Sequence, residues 1–178
     1  MRVLDRLGDT PAQVVSDTGD TLVQNPLAVA LLGDHSRYEG FSRSAVYRWF
    51  TDPDERLLYP EADRPHQGDI QVATLRVAAT RSGPHSRAAD LVTRLRHHSA
   101  EFEHIWNRHD VTGRGADTKT VVHPQLGPIQ LHCQILSTQD HGQALLVFTA
   151  TPGSEANSKL QMLAVIGTQD LTPQPIHH

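Results

Sequence analysis

Hydrophobic residues along this chain follow two different periods, and the change between them divides the sequence. Near the start, Val14-Val15 and Leu22-Val23 flank Asp17-Thr18-Gly19-Asp20, which predicts a short β-hairpin with Gly and Asp in its turn. Asn25-Pro26 follows, a capping residue and then proline at the first helical position. The helix it opens carries Leu27, Ala28, Leu31 and Leu32 on one side and stops at Gly33-Asp34.

Helical spacing dominates the middle of the chain. Six of the nine aromatic residues fall between Tyr38 and Tyr59, which marks a core-building segment. Ser42 is read as the cap of a helix burying Val46, Tyr47 and Phe50. Asp52-Pro53-Asp54-Glu55 reads as a new start, with Asp52 as cap and Glu55 placed for a capping box. From Gly68, the pattern predicts a helix facing inward with Ile70, Ala73, Thr74, Val77 and Ala78, ended by Ser82-Gly83-Pro84. A further helix presents Ala88, Leu91, Val92 and Leu95. Ser99 caps another, in which Phe102, Ile105, Trp106 and His109 recur at i, i+3, i+4 and i+7 opposite Glu101, Glu103 and Arg108.

After Gly113-Arg114-Gly115 the period falls to two. Thr118 to His123, Ile129 to Leu136 and Ala144 to Ala150 are predicted strands, and their short connections make neighbours antiparallel. Pro152-Gly153-Ser154 begins a last helix with Ala156, Leu160, Leu163 and Ala164 inward. The expected fold is two-layered α+β, an antiparallel sheet of about five strands with helices on one face. Residues 168–178 are polar, with two prolines, and are expected to be a loose tail.

Composition narrows the function. The 178 residues fit one domain, and a net charge of −4 shows no basic footprint for nucleic acid. Cys133 is the sole cysteine, so an internal disulfide and a thiolate metal cage are excluded. Neither a signal peptide nor a transmembrane run is visible, which makes a cytoplasmic location the default expectation.

Candidate chemistry is sparse. His97, Glu101 and His104 would share a face only if the helix ran unbroken through Ser99, and solvated surface is the competing reading. His132 beside Cys133 resembles a nucleophile with its base, but strand neighbours point to opposite faces. No P-loop, serine elbow or dinucleotide glycine motif occurs, so no enzyme activity and no cofactor are expected.

Four segments resemble the C-terminal domain of the MmyB-like family of helix-turn-helix transcription regulators. They are Asp9-Thr10-Pro11-Ala12 through Asn25 to Leu31-Leu32-Gly33-Asp34; Phe50-Thr51-Asp52-Pro53 with Arg56 and Leu58-Tyr59-Pro60; Ser99, Glu101-Phe102, Trp106 and His109-Asp110-Val111; and Lys119 and His123-Pro124 through Gly127 to Thr149-Ala150 and Pro152-Gly153-Ser154. The chain departs from the family pattern at Glu61-Ala62-Asp63, Ala100, Cys133-Gln134 and Phe148.

This resemblance implies a PAS-like sensing domain over residues 11–167, preceded by a linker remnant in residues 1–10. It also implies a small apolar ligand such as a fatty acid, and DNA contact only through an upstream helix-turn-helix domain. A homodimer is the expected assembly. Trp49, Trp106, Cys133 and Phe148 are the expected pocket lining, with Arg56 and His109 as polar contacts. Arg56 and Lys119 are candidates to hold a carboxylate, against the alternative of structural salt bridges. Trp106 and His109 have the alternative of plain core packing. A ligand-free dimerisation or interaction module and a small enzyme or metal protein are the rival readings of the whole chain.

Overall fold

The computed structural model describes residues 3–108 and 118–167. Five strands form one antiparallel sheet: β1 (Ala12–Ser16), β2 (Thr21–Gln24), β3 (Thr118–His123), β4 (Gly127–Ser137) and β5 (Gln143–Thr149), in the order β2-β1-β5-β4-β3. The N-terminal hairpin therefore joins the C-terminal meander through β1 and β5, with Ala12 opposite Val147 and Gln13 opposite Leu146. Together with the helices this makes the expected PAS-like α+β domain.

Strand alternation decides what each face of the sheet meets. On β4, Ile129, Leu131 and Cys133 are buried while Gln130, His132 and Gln134 are exposed. The buried face is covered by α1 (Pro26–Leu32) and α6 (Glu155–Gly167), which bring Leu27, Leu31, Leu160 and Leu163 against it. Each such leucine stabilises the fold by about 1.5–3 kcal/mol. On the opposite face, Leu4 packs with Ala12 and Val147.

The other helices, α2 (Ala45–Thr51), α3 (Arg64–Ser82), α4 (Arg87–His98) and α5 (Ala100–Arg108), build a core of their own. Trp49, Leu75, Leu91, Leu95 and Phe102 are buried there. Local capping follows the side-chain chemistry read from sequence. Asn25 Oδ1 accepts from the Ala28 amide, Asp52 caps the 3-10 turn Pro53–Leu58, and Ser99 Oγ accepts from the Phe102 amide.

Three expectations are corrected. Ser44, not Ser42, caps α2, because Ser44 bridges to Asp20 of the hairpin and donates to the Thr18 carbonyl at 2.7 Å. That register buries Arg48 and leaves Tyr47 half-buried. Glu55 forms no capping box; its carboxylate turns to Arg48. In α3 the buried positions are Gln67, Gly68, Val72, Leu75 and Ala78, while Val77 is 64% exposed. Apolar residues lie all round this helix, so the period alone admits two inward faces. Contact with α2 and α5 at Gly68 selects the observed one.

Candidate ligand site

The residues expected to line a pocket lie in two neighbouring clusters. Trp49, on α2, is 1% exposed and meets Tyr59 edge-on with ring centroids 5.6 Å apart. Arg56 follows on the Pro53–Leu58 turn. Its Nε donates to the Trp49 carbonyl at 2.9 Å, and its Nη2 donates to Glu101 of α5 at 2.6 Å. The guanidinium also lies 5.4 Å from the Trp49 ring centroid. Arg56 therefore makes the salt bridge that was its alternative role. Trp106, on α5, stacks on Phe102 at 5.5 Å and carries the Arg76 guanidinium 4.2 Å from its centroid. His109 lies outside the described residues.

Cys133 and Phe148 belong to the sheet. They face each other across β4 and β5 and are both buried beneath α1 and α6. His132 points the other way, with Nδ1 3.3 Å from Thr118 Oγ1 and Nε2 3.2 Å from Thr151 Oγ1. Strand geometry thus separates it from the thiol, as alternation requires. Lys119 sits on the edge strand opposite Leu131, in the column that faces α1 and α6.

Tyr59 and Leu58 join the two clusters. Leu58 packs on the sheet cluster and Tyr59 on the helical one. Burial pushes the Tyr59 phenol up to about 12, with smaller contributions from Glu55 and Cys133, so the group stays protonated at neutral pH. Beside this junction, Arg48 donates from Nε and Nη2 to Glu55 at 2.8 and 2.9 Å. Its Nη1 donates to the carbonyls of Ser42 and Arg43. His35 lies near the same pair. Burial lowers its pKa, the Arg48 charge lowers it further, and Glu55 partly opposes them.

Three buried side-chain atoms have no hydrogen-bond partner among the described residues: Trp49 Nε1, Gln67 Oε1 and Arg76 Nε. Such atoms are rare in folded proteins and call for an explanation, usually water, an ion or a ligand. Next to Trp49 is a recess of about 220 Å³ lined by Trp49, Phe50, Thr51, Asp52, Pro53 and Arg56. A shallower groove of about 430 Å³ runs over His132, Cys133, Gln134 and Thr149 to Pro152. Among the described residues no group of three or more His, Cys, Asp or Glu side chains could hold a metal ion. The His97, Glu101 and His104 alignment is broken because α4 ends at His98 and α5 begins at Ala100.

Sequence reasoning missed Tyr59, Gln67, Gly68 and Glu101 as parts of this region. Only Tyr59 and Glu101 carried a signal, through the motifs around Leu58-Tyr59-Pro60 and Glu101-Phe102.

The chain thus combines a five-stranded antiparallel sheet and separate helices with an unpaired buried donor, Trp49 Nε1, on a residue that lines a recess. Residues 1–163 match the family described as the MmyB-like transcription regulator ligand binding domain, and the chain belongs to that family. No curated protein matches the sequence.

Proposed function

We propose that this domain senses a small, mainly apolar molecule of the fatty-acid kind on behalf of an attached DNA-binding domain. The observation that carries the reading is the unpartnered buried donor Trp49 Nε1, on a residue that lines the recess with Arg56. In a ligand-binding domain of a transcription regulator, such a donor is a natural contact for the polar end of a ligand. The recess is smaller than the roughly 300–1,000 Å³ of ordinary ligand pockets. An aliphatic chain must therefore open the space between the helical core and the Cys133–Phe148 side of the sheet.

Opening of this kind gives the ligand its regulatory lever. It binds one arrangement of the helices more tightly than the other and shifts the population towards it. The protein would act in the cytoplasm as a homodimer, with DNA contact made by a helix-turn-helix domain. Thermal denaturation of the purified domain with aliphatic lipids of increasing length tests the reading. A ligand at a hundred times its Kd should add about 2.7 kcal/mol of stability.

A ligand-free interaction module is the second reading, favoured by the close packing of Cys133 and Phe148 under α1 and α6. Native mass spectrometry separates the two. A dimer without bound lipid, and without a thermal shift for any chain length, supports the interaction module.

A further inference from the structure

Arg56 and Glu101 form an ion pair at the recess, and its fork is half filled. The guanidinium is fixed from one side, where Nε donates to the Trp49 carbonyl at 2.9 Å. On the other side Nη2 donates to Glu101 Oε2 at 2.6 Å, while Nη1 donates to none of the described residues. Arg48–Glu55, Arg87–Asp20 and Arg96–Glu103 each close a two-bond fork through Nε and Nη2. Arg56 cannot do so, because the Trp49 carbonyl holds its Nε. The edge that remains is Nη1 with Nη2, and Glu101 uses only one of the two.

The surroundings favour exchange over addition. Arg56 lines the recess of about 220 Å³ together with Trp49, Phe50, Thr51, Asp52 and Pro53, so open space adjoins this side chain. Trp49, Phe50 and Pro53 supply apolar walls. An anion added there would meet two carboxylates, Asp52 and Glu101, against one guanidinium. An anion that takes the place of Glu101 leaves the charge unchanged. Glu101 also leaves at little cost, since its side chain is 42% exposed and that of Arg56 28%, and ion pairs this open to water hold weakly. The bond to the Trp49 carbonyl keeps Arg56 in position after Glu101 has gone. A free carboxylate can then meet both Nη atoms, the stronger two-bond arrangement.

We propose that Glu101 is a built-in competitor at the ligand site: a ligand carboxylate displaces it and takes Nη1 and Nη2 of Arg56 end-on. This inference rests on the sensor reading above and deepens it, naming the head group and the internal contact it replaces. Glu101 stands in the first turn of α5, so its displacement also unties α5 from the Pro53–Leu58 turn. An aliphatic chain without an acid leaves that tie intact.

The test is a set of dissociation constants for dodecanoate and dodecan-1-ol at neutral pH, with wild type, Glu101→Gln, Arg56→Met and the double variant. Glu101→Gln removes the competing charge and should tighten dodecanoate about fivefold, the worth of an exposed ion pair, with dodecan-1-ol unchanged. Arg56→Met should weaken dodecanoate about tenfold or more and the alcohol much less. In the double variant the gain from Glu101→Gln should shrink below about twofold, because the competitor acts only through Arg56. Thermal melts show which variants fold. Arg56→Lys, which keeps the charge but loses the fork, replaces Arg56→Met where the latter does not fold, with the same expected direction. No gain in dodecanoate affinity from Glu101→Gln, a gain shared by the alcohol, or a gain that persists in full without Arg56 would overturn the competitor and leave the sensor reading standing. Binding of dodecan-1-ol alone would do the same. Binding of neither lipid by any of these proteins would overturn both.

Discussion

Replacing Glu55 with Gln should destabilise this domain far more than loss of a surface salt bridge would. The Arg48 side chain is 2% exposed and that of Glu55 14%, so the pair lies almost wholly out of water. Arg48 gives two bonds to the carboxylate and two more to the carbonyls of Ser42 and Arg43. Glu55→Gln keeps the shape and one acceptor but leaves the guanidinium charge without compensation. Breaking a buried pair in this way costs about 3–5 kcal/mol. For a domain of this length that corresponds to a fall in Tm of about 6–20 °C. Urea denaturation of the wild type, Glu55→Gln, Arg48→Met and the double variant Arg48→Met/Glu55→Gln measures the effect and its coupling. The double variant should recover part of the loss, since no charge remains buried. It should not recover all of it, because the Ser42 and Arg43 carbonyls lose their donor. A Glu55→Gln cost under about 1 kcal/mol would place the pair with exposed ion pairs and refute the reasoning.

Other outcomes follow from single residues. His35 has a lowered folded-state pKa, so below its ordinary value of 6.5 the unfolded chain binds more protons than the folded one. Stability should therefore fall as pH drops below about 6.5, and His35→Gln should flatten that slope in denaturant titrations. Ser99→Ala removes the cap of α5 and should cost about 1 kcal/mol by the same assay, whereas Ser42→Ala should cost little. Cys133→Phe inserts a ring opposite Phe148 in a buried cluster and should cost about 1–3 kcal/mol; no loss there would mean that the sheet cluster holds open space. With a net charge of −4, the chain should give no sequence-dependent gel shift with duplex DNA at physiological salt.

Much of the fold was legible because its local signals agree with one another. Asn25-Pro26, Asp52-Pro53 and Ser99 each combine a capping side chain with an apolar pattern that starts just beyond it, and all three mark real starts. The meander was legible for the same reason. Strand β3 matches its expected span, while β4 runs on to Gly127 and Ser137. The face of α3 was not legible, since Ile70, Val72, Leu75 and Val77 offer two competing stripes. Nor was the role of Arg48, a charged residue at a buried helical position whose partner lies seven residues on. The candidate site was legible only in part. Trp49 stood out as an aromatic in a core segment, but the close approach of Trp49 to the α3 backbone at Gly68 leaves no trace in a hydrophobic pattern. Long-range placement decides such features: Gly68 meets Glu101 and Trp49 only after three helices have packed.

The side chain of Asn25 does more than cap α1. Its Oδ1 accepts from the amides of Ala12 and Ala28, and its Nδ2 donates to the carbonyls of Leu7 and Thr10. All four bonds of one buried amide are thereby spent on three separate stretches of chain. Mechanically, this makes residues 7–12 and the first turn of α1 a single rigid piece, with Asn25 as the rivet. Any force that shifts α1 over the Cys133–Phe148 face is transmitted to the N-terminal segment without slack, and a pull on that segment is felt under α1. A homologous position carrying aspartate would keep the two amide contacts and lose both carbonyl contacts, uncoupling the segment while leaving the helix capped.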